Sequence, residues 1–286
     1  MNGAHLSLAW GIPFSGILLS LSIIPLVAKT FWHNHYGKII LFWALTLLVP
    51  SLFLWKSEIV EQVAHVAIRE YIPFMALTGA LFVVTSGIRV KSTWIGRPIG
   101  NATILLVGAL MASLIGTTGA SMVMINPLVQ ANAWRTYKAH IFIFFIFLVA
   151  NIGGALSPMG DAPLFLGFLE GVPFLWPLKN LFLPTSLVTA YLLLVFFIID
   201  TLRFKKEAIE RMPKRTRNTF KVNGRINIIF LCIIISIVVG TTLLQTEMHI
   251  TVLGTHWLVE NILREVALVV IMVLSFKMTK KGVRRY

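Results

Sequence analysis

The chain has 286 residues, of which 57% are apolar and only 13% are charged, and its mean hydropathy is +0.84. A soluble domain normally carries about a quarter charged residues, so lipid must solvate much of this surface. The net charge of +14 does not indicate nucleic-acid binding, because the basic residues lie in short clusters between apolar runs, as in membrane proteins.

Six apolar runs are long enough to be transmembrane helices, because about 20 helical residues cross the hydrocarbon core. These runs are residues 7–28, 39–55, 71–88, 176–199, 226–245 and 257–276. Between the second and the third, residues 57–71 place charged side chains among apolar ones at helical spacing, which predicts an amphipathic helix on the outer surface. In the last run, the spacing of Glu260, Arg264 and Glu265 predicts pairing within the membrane.

Residues 99–134 have a different pattern. Arg97 and Arg135 belong to the basic clusters typical of the cytoplasmic side, so the segment between them must enter the membrane and return. Its two arms, of about 17 and 14 residues, are short for complete crossings. We therefore predict a re-entrant helical hairpin with residues 116–121 at its buried tip. Two short complete spans are the alternative.

Residues 141–174 predict a discontinuous helix. An apolar helix at 141–150 is interrupted by glycines and prolines at 151–163, and the apolar pattern resumes at 164–174. Helix breakers at membrane depth are tolerated only where the freed backbone faces protein or water. Secondary transporters form their ion and substrate sites at such breaks.

The distribution of Lys and Arg predicts a multi-pass protein of the bacterial cytoplasmic (inner) membrane, with the N-terminus outside and the C-terminus inside. Residues 1–98 form the N-terminal transmembrane helices in this prediction, and residues 99–175 form the site region. Residues 176–286 add further transmembrane helices, a basic cytoplasmic loop at 201–225 and a basic tail.

The first candidate site is the stretch GTTGAS at residues 116–121. Its glycines let the backbone turn, and Thr117, Thr118 and Ser121 offer hydroxyl oxygens beside freed carbonyls. Oxygen ligands suit a hard cation, whereas freed N–H groups at a helix start suit a carboxylate. A small-residue face for helix packing is the alternative.

The second candidate site is the break at residues 151–163, where Asp161 is the only acidic residue between Glu70 and Glu170. An ionisable residue inside a membrane is costly and indicates a functional site. We expect Asp161 to exchange a proton for a cation. A solvated loop aspartate near the outer surface is the alternative.

An intramembrane serine hydrolase centred on Ser121 would be a different class of protein. Nucleophilic catalysis needs a base within hydrogen-bond reach, and the nearest histidine, His140, is expected at the cytoplasmic end of the next helix. We therefore expect no catalytic residues and no enzyme activity.

The stretches GTTGASMVMINP (116–127) and ANIGGALSPMGDAPLFLGFLEG (150–171) resemble the ion transporter superfamily, specifically its bacterial sodium:proton antiporter and citrate-transporter-like branch. Residues 11–38, ending in FWHNHYGK, resemble the same branch. The resemblance implies an all-α polytopic membrane fold. Its first inverted repeat would carry a re-entrant hairpin and a discontinuous helix, followed by the start of a second half.

The resemblance also implies site residues. The tip would contribute Thr117, Thr118, Gly119 and Ser121, and the break would contribute Asn151, Gly153, Gly154, Ser157, Gly160 and Asp161. A sodium ion would lie between tip and break, held by Thr117, Ser121, Asn151 and Asp161. No other metal and no cofactor is implied, and the coupling ion would be sodium, a proton or both.

The expected function is cation-coupled secondary active transport, with sodium:proton antiport as the first prediction. Sodium- or proton-coupled uptake of citrate or a dicarboxylate is one alternative, and a truncated remnant without transport activity is another. The resemblance covers only the N-terminal half of the family pattern, without a second glycine-rich pair. Besides the lipid bilayer, the expected partners are therefore a separate chain carrying the second repeat, or further copies in a homo-oligomer.

Overall fold

The computed structural model describes residues 7–208, 212–213, 220–241, 248–252, 255–279 and 282. Some of the basic residues predicted for the cytoplasmic loop and the tail lie outside this part of the chain: Arg211, Lys214, Arg215, Arg217, Lys280, Lys281, Arg284 and Arg285. The last residues of the predicted run 226–245 lie outside it as well.

The described residues form ten α-helices: α1 (Ile12–Val27), α2 (Lys29–Val66), α3 (Ile72–Ser86), α4 (Pro98–Ile115), α5 (Thr117–Ala131), α6 (Ala139–Leu148), α7 (Ala162–Leu169), α8 (Trp176–Phe204), α9 (Arg225–Thr241) and α10 (Val259–Met278). Short 3-10 helices occupy Leu8–Gly11 and Ile152–Leu156, and a π-helical turn occupies Ala67–Tyr71. Strand β1 (Arg89–Ser92) pairs with β2 (Phe220–Asn223), and β3 (His249–Val252) pairs with β4 (Thr255–Leu258).

Five helical segments of the described chain are long and apolar enough to cross a membrane: Leu8–Val27, Lys29–Ser86, Pro98–Ile115, Ala139–Leu156 and Trp176–Phe204. Helix α9 is apolar but shorter, and α10 carries four charged residues along its length. The prediction of an all-α polytopic membrane protein is therefore confirmed. The many exposed leucine, isoleucine and phenylalanine side chains of α1, α2 and α8 form the kind of surface that lipid solvates.

The chain divides into two compact units, Met1–Ala67 with Thr251–Thr255, and Ile68–Ile250 with His256–Tyr286. In the first unit α1 packs against α2, where the indole Nε1 of Trp43 donates a hydrogen bond to Ser20 Oγ at 3.1 Å. Helix α2 has a kink at Lys56, whose φ of 40° and ψ of −110° are not helical. The predicted span and the predicted amphipathic helix meet at this kink. The place of that helix on the outer surface stays a prediction, as do the divisions at residues 98 and 175.

The second unit contains one hydrophobic core to which eight of the described helices, α3 to α10, contribute. Its buried side chains include Val84 of α3, Leu105 of α4, Leu128 of α5, Leu148 of α6, Phe196 of α8, Ile234 of α9 and Leu268 of α10. Near the start of α10, Arg264 Nη2 lies 2.7 Å from Glu265 Oε1, and both side chains are buried. The expected pairing is therefore present between these two residues, and its position within the membrane stays a prediction.

Helices α4 and α5 form a helical hairpin in the second unit. Gly116 is the single residue between them, and its φ of 78° and ψ of 152° are accessible almost only to glycine. At the open end, Gly96 N donates to Ala131 O at 2.8 Å, and Asn101 and Asn132 exchange side-chain hydrogen bonds of 3.0 and 2.8 Å. The predicted hairpin is present, but its turn consists of one residue, Gly116, and not of residues 116–121. Its re-entrant character stays a prediction.

The predicted discontinuous helix is also present. Helix α6 ends at Leu148, a 3-10 turn follows at Ile152–Leu156, and α7 begins at Ala162. Helix α7 ends at Leu169, earlier than the predicted residue 174, because Gly171 with a φ of 95° and Pro173 follow it.

Three segments that we predict to be cytoplasmic lie at the same end of the second unit. They are strand β1, the residues that follow Arg135, and the described part of the loop 201–225. The backbone N–H groups of Thr136 and Tyr137 donate to the Glu207 carboxylate at 2.9 and 2.7 Å. Strand β1 pairs antiparallel with β2, with Arg89 opposite Asn223. These contacts agree with placing the segments on one side of the membrane. Which side faces the cytoplasm stays a prediction.

Candidate functional site

The hairpin tip and the helix break are in direct contact. The backbone N–H of Thr117 donates a hydrogen bond to the Gly160 carbonyl at 3.2 Å. A Cβ on Gly154 would lie 2.5 Å from the Gly160 carbonyl oxygen and 2.7 Å from Thr117 Cγ2. The approach of these backbones therefore requires glycine. Two stretches that are more than thirty residues apart in the sequence form one structure.

Ser113 of helix α4 forms hydrogen bonds with the break. Ser113 Oγ donates to the Gly153 carbonyl at 2.5 Å, and Ser157 Oγ donates to the Ser113 carbonyl. Within the break, Gly160 N donates to the Ser157 carbonyl at 3.0 Å. Where a helix is interrupted, backbone groups lose their intrahelical hydrogen-bond partners, and lipid cannot replace them. The hydrogen bonds described here give such groups partners within the protein.

A cavity of about 140 Å³ lies where tip, break and α3 meet. Its lining consists of Phe74, Leu77, Thr78, Leu81, Phe82, Ile115, Gly116, Thr117, Thr118, Gly119, Pro158, Met159, Gly160, Asp161, Ala162 and Phe165. All of these residues belong to the second unit. The cavity therefore brings the two predicted stretches to one place and adds an apolar wall from α3.

Two helices begin at this cavity. Thr118 and Gly119 lie in the first turn of α5, where an α-helix supplies no acceptor for the N–H groups. Asp161 caps α7, and its Oδ1 accepts a hydrogen bond from Ala162 N at 3.0 Å. Because a helix N-terminus carries partial positive charge, the ends of α5 and α7 favour a negative group in the cavity.

The cavity also offers oxygen atoms suited to a cation. Thr78, Thr117 and Thr118 carry hydroxyl groups in its lining. Asp161 alone among the lining residues is charged, and its side chain is exposed. Hydroxyl, carbonyl and carboxylate oxygens are the ligands of hard cations. The cavity lining therefore contains groups of the kinds that bind cations and groups of the kinds that bind carboxylates.

The predicted site residues fall into three groups. Thr117, Thr118, Gly119, Gly160 and Asp161 line the cavity. Gly153, Gly154 and Ser157 shape the break and attach it to α4 and the tip. Ser121 and Asn151 do not line the cavity: Ser121 lies one turn into α5, and the Asn151 side chain is exposed. Of the four residues expected to hold sodium, Thr117 and Asp161 therefore share the cavity.

The structure does not support the serine hydrolase alternative. Ser121 Oγ is buried without a hydrogen-bond partner among the described residues. His140 Nε2 lies 2.8 Å from Asp200 Oδ1 near the open end of the hairpin, away from the tip.

Sequence reasoning missed the contribution of α3 and the role of Ser113. Thr78 and Phe74 lie in an apolar run that looks like any other membrane span, so no local pattern distinguishes them. Ser113 precedes the tip by three residues, but its partners lie forty residues further along the chain. Only the packing of α4 against the break identifies it.

Residues 3–286 match a protein family model with the description "Putative citrate transport". No curated protein and no solved structure matches the chain. The matched range includes both the hairpin tip and the helix break.

Proposed function

This chain belongs to the family described as "Putative citrate transport", and from that premise we propose that it is a cation-coupled secondary transporter for a citrate-like carboxylate. One observation carries the proposal. The tip and the break contact each other through Thr117 and Gly160, at a cavity that contains two helix N-termini and a single carboxylate, Asp161.

The carboxylate substrate would bind at the first turn of α5. The N–H groups of Thr118 and Gly119 lie there, and the hydroxyl group of Thr118 lies beside them. The helix dipole adds partial positive charge at this end. Among the described residues that line this cavity there is no lysine or arginine, so backbone groups would provide most of the attraction.

The charge of Asp161 explains why transport would be coupled to a cation. A substrate carboxylate about 5 Å from an ionised aspartate would be repelled by roughly 3 kcal/mol at an effective dielectric constant near 20. That repulsion would weaken binding by roughly 100-fold. A sodium ion or a proton on Asp161 removes the repulsion. The cation and the carboxylate would therefore bind together.

Sodium:proton antiport is the second candidate, and the position of Asp161 favours it. Of the lining residues that the structure describes, only Asp161 is charged, and a carboxylate can hold either a proton or a sodium ion. Such an exchange needs no organic substrate. The two functions therefore differ in whether citrate takes part.

Citrate binding to the purified chain in liposomes, measured with and without sodium at constant pH, separates the two candidates. For the uptake function, we expect wild-type protein to need sodium, and Asp161→Asn to bind citrate without it. Glu170→Gln is the matched control, because Glu170 is an exposed carboxylate outside the cavity lining.

Antiport would give a different result. Sodium would then release protons from the wild-type protein whether or not citrate is present, and Asp161→Asn would abolish that release. Unchanged cation dependence of citrate binding in Asp161→Asn would contradict the proposed role of Asp161.

A further inference from the structure

The two-stranded ribbon of β1 and β2 lies at the ends of two apolar helices. Strand β1 begins at Arg89, three residues after α3 ends at Ser86. Strand β2 ends at Asn223, two residues before α9 begins at Arg225. For helices that cross the hydrocarbon core, strands this close to the helix ends lie in the headgroup region of the membrane.

Contacts between the helix ends hold the base of this ribbon in place. The buried side chain of Asn227 in α9 donates a hydrogen bond from Nδ2 to the Gly87 carbonyl at 2.9 Å. Gly224 has a φ of 81°, which other residues rarely adopt, and a Cβ there would overlap the same carbonyl oxygen. The ribbon therefore has a defined position relative to α3 and α9.

One face of the ribbon is apolar and the other is basic. Successive side chains of a strand point to opposite faces, and residues directly opposite each other share a face. Val90 pairs with Val222, and both pack against the hydrophobic core of the second unit. Arg89, Lys91 and Lys221 lie on the opposite face, which points away from that core. We call these three residues the basic face.

The basic face places like charges next to each other. Lys91 and Lys221 are directly opposite in the ladder, and both are exposed. Like charges in this position destabilise a strand pair. In the described part of the chain, no carboxylate forms an ion pair with either lysine or with Arg89. An anion bound between the two ammonium groups would remove the repulsion.

The other charges at this end of the second unit are also mainly basic. Among the described residues here the acidic ones are Asp200, which pairs with Arg135 at 2.6 Å, and Glu207, which accepts hydrogen bonds from Thr136 and Tyr137. In the sequence, residues 209–219 before β2 contain four basic residues and one acidic residue. Further basic residues flank the helices: Arg97, Lys138, Arg203, Lys205, Lys206, Arg225 and Lys277. The surroundings therefore favour an anionic ligand.

We propose that the basic face binds the headgroup of an anionic phospholipid. The phosphate group would lie between the ammonium groups of Lys91 and Lys221, with Arg89 as a third cation on the same face. Helix α9, which begins next to the ribbon, exposes Ile229 and Ile233, so the acyl chains would have an apolar surface to lie along. A soluble phosphate could use only the charges. This inference does not depend on the proposed transport function.

Native mass spectrometry of the full chain in neutral detergent tests the binding. Phosphatidylglycerol is the anionic lipid, and phosphatidylcholine is the zwitterionic comparison. Wild-type protein should retain phosphatidylglycerol in preference, because the choline cation offsets the phosphate charge. The double variant Lys91→Gln/Lys221→Gln should weaken phosphatidylglycerol binding by roughly 10–30-fold, since each basic residue near an anionic lipid contributes a factor of about five.

Lys29→Gln/Lys38→Gln is the matched control. It removes the same charge from two exposed lysines of α2, which belong to the first unit. Its binding of phosphatidylglycerol should equal that of the wild-type protein. Equal losses in the two double variants would show that only net charge matters, and would overturn the assignment to the ribbon.

Competition with inorganic phosphate identifies the occupant. Phosphate at the same concentration as the lipid should leave phosphatidylglycerol bound, because it lacks acyl chains. Displacement by phosphate, or equal retention of the two lipids by the wild-type protein, would overturn the assignment of an anionic lipid.

Thermal unfolding of the wild-type protein provides a second measurement in case the double variant does not fold. Phosphatidylglycerol should raise the unfolding midpoint, because a ligand that binds only the folded form stabilises it. The rise should shrink at high salt, which screens exposed charges. A midpoint that does not rise, or a rise that salt does not reduce, would contradict the proposal. Both measurements are made without citrate, so their failure is distinguishable from failure of the proposed transport function.

Discussion

The glycines at the cavity leave room for the backbone of another segment. A Cβ on Gly154 would meet the Gly160 carbonyl, and a Cβ on Gly160 would in turn meet the Gly154 carbonyl. Gly116 has a backbone conformation that side chains rarely allow. The sequence predicted that both stretches turn, but it could not show that they touch each other.

Gly154→Ala should separate the tip from the break. The atoms nearest the added Cβ belong to a carbonyl group and to Thr117, so the strain should cost about 1–3 kcal/mol. We expect a lower unfolding midpoint and a loss of citrate affinity of roughly 10-fold or more, since 1.4 kcal/mol corresponds to tenfold. Calorimetric unfolding and citrate titration measure the two effects.

Gly37→Ala is the control for this change. No atom lies within 4 Å of a Cβ at Gly37, which is in α2. Alanine there should maintain or increase stability, because it favours a helix by about 1 kcal/mol over glycine. Equal behaviour of the two alanine variants would refute the contact between tip and break.

At the scale of the elements, α4, α5, α6 and α7 follow from hydrophobic runs interrupted by glycine and proline. The turn of the hairpin is one residue rather than six, because Thr117 already has helical geometry and its N–H finds an acceptor on Gly160. That acceptor lies outside the local sequence. Hydrophobic runs and helix-breaking residues therefore predicted the hairpin, but they did not predict the length of its turn.

Glu207 connects the segment after α5 to the end of α8, and its contribution should depend on pH. Burial alone would raise the pKa of this carboxyl, but hydrogen bonds from Thr136 and Tyr137 and the charge of Arg135 lower it below the ordinary value of 4.5. A depressed pKa stabilises the folded form above the ordinary value, and this stabilisation is lost as the pH falls through the lower, folded-state pKa.

Glu207→Gln should therefore unfold at a lower temperature than the wild-type protein at pH 7, and the difference should shrink once the pH falls below about 4. Thermal unfolding followed between pH 7 and 3 measures it. The exposed Glu170→Gln serves as the comparison variant and should show a smaller change at pH 7. A difference that stays constant with pH would show that Glu207 acts through shape and not through charge.

At the scale of the whole molecule, composition and charge distribution determine the class of protein. The apolar runs require lipid, and β1 with β2, together with Thr136 and Glu207, places three basic segments at one end of the second unit. The positive-inside rule predicts that this end faces the cytoplasm.

Cysteine labelling in intact cells tests this orientation. In a Cys232→Ser background, Glu170→Cys should react with a membrane-impermeant maleimide, whereas Lys206→Cys should react only after permeabilisation. Both positions are exposed and flank helix α8. The opposite labelling pattern would reverse the predicted topology.

The sequence by itself determined that the chain is helical, polytopic and interrupted near residues 116 and 151–161, because hydrophobicity and helix breaking are local properties of a segment. The tertiary structure alone decided that Gly160 meets Thr117, that α3 walls the cavity, and that His140, Arg135 and Asp200 share one buried cluster. These contacts join residues 43, 60 and 65 positions apart, and apolar spans of similar hydrophobicity do not specify which helices pack together.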